Sequence, residues 1–65
     1  MIFYINEKTH EIHRMTCTFV DPDKYPNVIY LGNYSSSEKA VEDALKREYF
    51  KANGCAYCCS EIDTD

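Results

Sequence analysis

Two short groups of sulfur and nitrogen side chains, His13-x-x-x-Cys17 and Cys55-x-x-Cys58, flank a stretch from position 18 to 54. Zinc binds tetrahedrally to thiolate sulfur and imidazole nitrogen, and structural zinc sites commonly take two ligands from each of two tight turns. A Cys-x-x-Cys turn suits this task because both sulfurs converge on one ion while backbone amides point at them. His13, Cys17, Cys55 and Cys58 are therefore the expected ligands of one structural zinc ion. Three thiolates around a divalent cation leave the shell at a formal charge of −1, which nearby amides or Lys and Arg can offset. Softness and tetrahedral geometry admit iron as well as zinc. His10 and Cys59 remain as spare donors: His10 could replace His13, and Cys59 could compete with Cys58, because adjacent cysteines face different directions.

Other uses of the thiols are weaker. Cysteine is among the most buried residue types, so all four could simply fill a core as free thiols. Disulfides use the pattern badly, since Cys17 alone lies upstream and a Cys58–Cys59 bridge would be strained. Catalytic zinc keeps three protein ligands and an open position, whereas four are offered here. No Ser-His-Asp grouping, glycine-rich phosphate loop or HExxH helix is present. Glu42 and Asp43 read as part of a solvated helix face. No catalytic residue is assigned, and no enzymatic activity is expected. The best enzymatic rival is a thiol redox or zinc-thiolate reactive protein using Cys55, Cys58 or Cys59. Redox turns of this kind usually sit at a helix N-terminus, but here the turn is expected to follow a helix C-terminus, where the dipole raises a thiol pKa.

A chain of 65 residues has room for one small core, and domains of this size often recruit a metal, disulfides or a partner. Met1 to Glu7 shows no basic stretch followed by a long apolar run, so a reducing cytoplasmic setting is expected. The net charge is −4, with seven Lys and Arg scattered among eleven carboxylates. Neutralising phosphates takes clustered cations, which argues against nucleic acid as a main partner. No apolar run is long enough to cross a bilayer.

The elements that would carry the ligands follow from local pattern. Ile2 to Ile5 and His10 to Arg14, joined by the turn-compatible Asn6 to Thr9, predict a hairpin that brings His13 to the end of its second strand. Asp21 to Asn27 holds both prolines and predicts an ordered loop. Val28 to Leu31, closed by Gly32-Asn33, is the third strand. Ser35-Ser-Ser-Glu38 matches a capping box. Val41, Ala44, Leu45, Tyr49 and Ala52 then mark one apolar stripe on a helix of about four or five turns. Asn53-Gly54 supplies its stop, glycine taking the left-handed conformation that closes a helix. Phe3, Ile5, Val28 and Tyr49 are the expected core. Tyr25, Tyr34 and Tyr57 are harder to bury and would form a patch for a protein partner. The polar, acidic residues 61–65 are expected to fray.

This order of elements, with His13-x-x-x-Cys17, Leu31-Gly32, the Ser35-Ser-Ser-Glu-Lys-Ala40 helix start and Cys55-x-x-Cys58, resembles small Ada-like zinc-binding modules. It also resembles a group of short bacterial and phage proteins that share the His-x-x-x-Cys and Gly-Cys-x-x-Cys pattern. The likeness spans residues 2 to 59, and its ligand pattern is the specific part. It implies an α+β fold with a zinc ion at one end, held by the positions that match the ligands, His13, Cys17, Cys55 and Cys58. Ada domains use four cysteines and accept a methyl group from a DNA phosphotriester. The His13 ligand and the acidic chain depart from that pattern and argue against methyl transfer and DNA binding here.

Taken together, the expectation is one α+β domain over residues 1–60, with a short three-stranded antiparallel sheet and one helix in the C-terminal half. A structural zinc site staples it, and its role is protein interaction in the cytoplasm.

Overall fold

The computed structural model describes residues 1–62. Its elements are β1 (Ile2–Asn6), β2 (Glu11–Arg14), β3 (Val28–Asn33), α1 (Ser37–Lys46), β4 (Asn53–Gly54) and a closing 3-10 turn, Ser60–Ile62. The strands form one sheet in the order β3-β1-β2-β4. β1 runs antiparallel to both β2 and β3, as the hairpin and third-strand patterns predict. The expected three-stranded antiparallel sheet is incomplete, however. β4 adds a fourth strand parallel to β2, with Glu11 opposite Asn53 and Ile12 opposite Gly54, so the sheet is mixed.

Alternation along β1 places Phe3 and Ile5 on one face, both fully buried. Directly paired residues share a face of an antiparallel sheet. Ile12, opposite Ile5, therefore joins the same side, and His13, opposite Tyr4, goes to the other. The core forms on the first face, where Phe3, Ile5, Ile12 and Leu31 pack with Ala40 and Ala44 of α1, and with Cys59 and Ile62. Of the expected core, Phe3, Ile5 and Val28 are buried, and Tyr49 packs against the core from a half-buried position.

The helix is shorter than its apolar stripe suggests, and both ends differ from expectation. Its N-cap is Ser36, one residue beyond Ser35, with Oγ accepting from the backbone N–H of Lys39 at 3.3 Å. The residue three beyond the cap is thus Lys39, which cannot make the reciprocal bond of a capping box. At the other end Glu48 takes a left-handed conformation, φ 71°. The Glu48 N–H donates to Leu45 O and the Tyr49 N–H to Ala44 O, the paired bonds of a Schellman stop. The helix therefore closes at a non-glycine position that composition does not flag, and Leu45 of the presumed stripe is left exposed.

Gly54 is consequently not a helix stop, and its φ is not positive. It is needed for close approach instead: a Cβ there would stand 2.3 Å from the Cys59 carbonyl oxygen and 2.5 Å from Ile62 Cγ1. Within the expected tail, Glu61 pairs with Arg14 and Ile62 is buried beside Gly54. The remainder of the expected tail, 63–65, lies outside the described residues.

Candidate metal centre

The sheet register explains how ligands so distant in sequence meet. Continuing the parallel pairing of β2 with β4 by one residue sets Cys55 next to His13, and the Cys55 N–H donates to Ile12 O at 2.9 Å to hold that step. After His13 the chain leaves β2 through a turn closed by the Cys17 N–H on Arg14 O, 2.9 Å, which returns Cys17 toward the imidazole. After Cys55 a second turn is closed by the Cys59 N–H on Cys55 O, 2.8 Å, which brings Cys58 back to the same place.

His13, Cys17, Cys55 and Cys58 thus lie close enough to hold a metal ion, their four ligand atoms all within 4.8 Å of one another. His13 Nδ1 is 3.6 Å from Cys17 Sγ and 4.0 Å from Cys58 Sγ. Donors about 2.0–2.3 Å from a tetrahedral ion stand about 3.5–3.8 Å from one another, so the His13 distances fit such an ion, and a spread of up to 4.8 Å would close by about 1 Å around it. His13 and Cys55 are 2% exposed and Cys17 is 9% exposed, while Cys58 is partly exposed.

Burial sets the protonation of these donors. Burial lowers the His13 pKa below its ordinary value, against an opposing pull from Glu11, which keeps the ring in the neutral form that ligates metal. Burial pushes the Cys58 thiol up, and the contact with Cys17 adds to that, while the Arg14 backbone N–H draws it down. Without a positive charge beside them, clustered buried thiols resist ionisation; a bound divalent cation reverses that balance. The Arg14 N–H lies 3.3 Å from Cys58 Sγ and is one of the amides expected to offset the charge of the shell.

The two spare donors are resolved by the fold. Cys59 turns to the opposite side of its neighbour and is fully buried in the core, although its Sγ comes to 3.8 Å from Cys58 Sγ. Its own thiol is also pushed up by burial. His10 sits at the end of the β1–β2 turn with φ 67°, outside the cluster. Its Nδ1 accepts from the Lys51 N–H at 3.0 Å, and the ring meets Tyr49 edge-on. Its carbonyl also accepts from the Asn53 N–H, so His10 helps dock β4.

Helix α1 ends at Lys46, well before Cys55, so the helix-dipole effect expected on the Cys55 thiol has no structural basis. The three tyrosines expected at the surface separate. Tyr57, on the turn between Cys55 and Cys58, is 83% exposed. Tyr25 packs edge-on against Phe19, which also touches the His13 and Tyr57 rings. Tyr34 is not part of a surface patch: it packs against the core and its hydroxyl donates to Asp43. Phe50, 74% exposed, lies off the apolar stripe of the expected helix and beyond the end of α1 at Lys46. No helix among the described residues is long and apolar enough to cross a membrane. No protein-family model, curated protein or solved structure matches the chain.

Proposed function

We propose that this is a small non-enzymatic cytoplasmic protein whose Cys3His site holds one structural zinc ion, and whose role is to present a surface to a protein partner. The observation that carries this reading is the convergence of His13, Cys17, Cys55 and Cys58 to within 4.8 Å. Zinc is favoured over iron because a mixed imidazole and thiolate tetrahedron, closed by four protein ligands, is a common structural zinc shell. The ion would join the end of β2 to the turn after β4, a link that a core of this size benefits from. From Ada-like modules the proposal keeps the ligand pattern and not the methyl transfer, since the first ligand is an imidazole and the net charge is −4. The exposed Tyr57, fixed by the metal turn beneath it, is the position proposed to meet the partner.

Elemental analysis of protein purified under reducing conditions, followed by cobalt substitution, tests the metal assignment. One zinc per chain is expected, and the cobalt form should show the intense visible bands and sulfur-to-metal charge transfer of a tetrahedral thiolate site. Weak octahedral bands, or stoichiometric iron in the purified protein, would contradict the assignment.

A further inference from the structure

The three ligand thiols are unequal. Cys17 and Cys55 are buried, whereas Cys58 is partly open to solvent. The turn it closes carries Tyr57, which is 83% exposed. Three further thiols lie close to it: Cys17 and Cys55 Sγ within 4.8 Å and Cys59 Sγ at 3.8 Å, and of these Cys55 is the one held with Cys58 in a single closed turn, with two residues between them. A ligand thiolate reachable from solvent, with another thiol in reach, has the arrangement of a peroxide-reactive cysteine.

We propose that Cys58 is a modification site for hydrogen peroxide, that Cys55 resolves the oxidised form, and that the metal is released as a result. This rests on the zinc reading above. The Cys58 sulfur attacks one peroxide oxygen, the O–O bond breaks, and hydroxide leaves, giving a sulfenic acid at Cys58. The Cys55 thiolate then attacks the Cys58 sulfur, the S–S bond forms, the S–O bond breaks, and a second hydroxide leaves. Two electrons pass from the two sulfurs to the peroxide, and solvent protonates both hydroxides. Only His13 and Cys17 would then remain to hold an ion, and two donors would not retain it.

Cys59 is nearer to Cys58 than a resolving thiol needs to be, yet it is the wrong partner. Neighbours across a trans peptide have Cα atoms about 3.8 Å apart, below the range of about 4.4–6.8 Å that disulfides adopt. The two residues between Cys55 and Cys58, in a turn closed by the Cys59 N–H on Cys55 O, remove that constraint. Cys59 also points into the core, where it packs with Ile62. The new disulfide is local to the turn, so oxidation cuts the link between β2 and the C-terminal segment rather than replacing it.

The test treats reduced, metal-loaded protein with hydrogen peroxide, follows zinc release with a chromogenic chelator, and maps disulfides by mass spectrometry after alkylation. Loss of one zinc per chain should accompany a first disulfide between Cys55 and Cys58, with Cys17 still alkylated. Cys59→Ala should release zinc at the wild-type rate. A loaded protein that keeps its metal, that oxidises first through Cys17 or Cys59, or that loses its response in Cys59→Ala overturns this inference alone. A reduced protein that carries no metal before peroxide is added overturns the zinc reading beneath it.

Discussion

The backbone N–H of Arg14 points at Cys58 Sγ from 3.3 Å, joining the residue after one candidate ligand to the side chain of another, 44 positions along the chain. Amide-to-sulfur bonds of this kind orient a ligand and soften its charge, and their partners matter to metal affinity nearly as much as the ligands do. Cys59, one residue further on, faces the core instead. Neighbouring cysteines therefore have separate duties. Cys58→Ser should abolish metal binding, and with it folding free energy that in comparable sites reaches about 10 kcal/mol. Cys59→Ala should retain the metal at the cost of about 1 kcal/mol from the small cavity it leaves. Metal content and chemical unfolding of the two variants check the contrast.

Gly54 is the point where β4 passes under the closing turn. Gly54→Ala drives a methyl group to 2.3 Å from the Cys59 carbonyl oxygen, a backbone atom that cannot swing aside. Overpacking of this kind costs about 1–3 kcal/mol. Because Gly54 pairs with Ile12 one residue before Cys55 meets His13, the strain should also weaken metal binding. Parallel measurements of unfolding and zinc affinity would show both losses, or contradict the packing described.

The helix stop offers a change in the opposite direction. Glu48 pays the steric penalty of the left-handed region without a glycine. Glu48→Gly relieves that strain while keeping the Schellman bonds, though glycine is also more flexible in the unfolded chain. A net gain of about 0.5–1 kcal/mol is expected in chemical denaturation.

Much of this architecture can be read from residue pattern, for identifiable reasons. Strands β1 and β3 carry aromatic and β-branched residues bounded by turn formers, and the four donors stand at spacings with few competing uses. What escapes pattern depends on context. The end of α1 is set by Glu48, a residue type that does not advertise a left-handed conformation. β4 has only two residues, Asn53–Gly54, too few for any alternation, so its parallel pairing with β2 is invisible in sequence. That pairing nevertheless sets Cys55 beside His13. The choice of Cys58 over Cys59 likewise follows from the turn geometry, which spacing alone leaves open. Ile62 reads as part of an acidic tail until the space beside Gly54 is seen to receive it.

Acid should weaken the fold with a definite sign. Burial holds His13 below its ordinary pKa, so the unfolded chain takes up this proton at a higher pH than the folded one. The stability that His13 contributes is present above the unfolded pKa of about 6.5, and is lost as the pH falls through it toward the folded value. Metal ligation by the neutral ring acts in the same direction. Melting temperatures recorded from about pH 7.5 down to about pH 5 should fall steadily; a flat profile would show that the imidazole is not buried in the neutral form.

The most direct measurement is native mass spectrometry of the protein purified under reducing conditions, with and without a strong chelator, paired with circular dichroism of both samples. A mass increment of one zinc that disappears on chelation together with the secondary structure is expected. A chain that is metal-free as purified and still folded would contradict it, leaving His13, Cys17, Cys55 and Cys58 as buried side chains that need no ion.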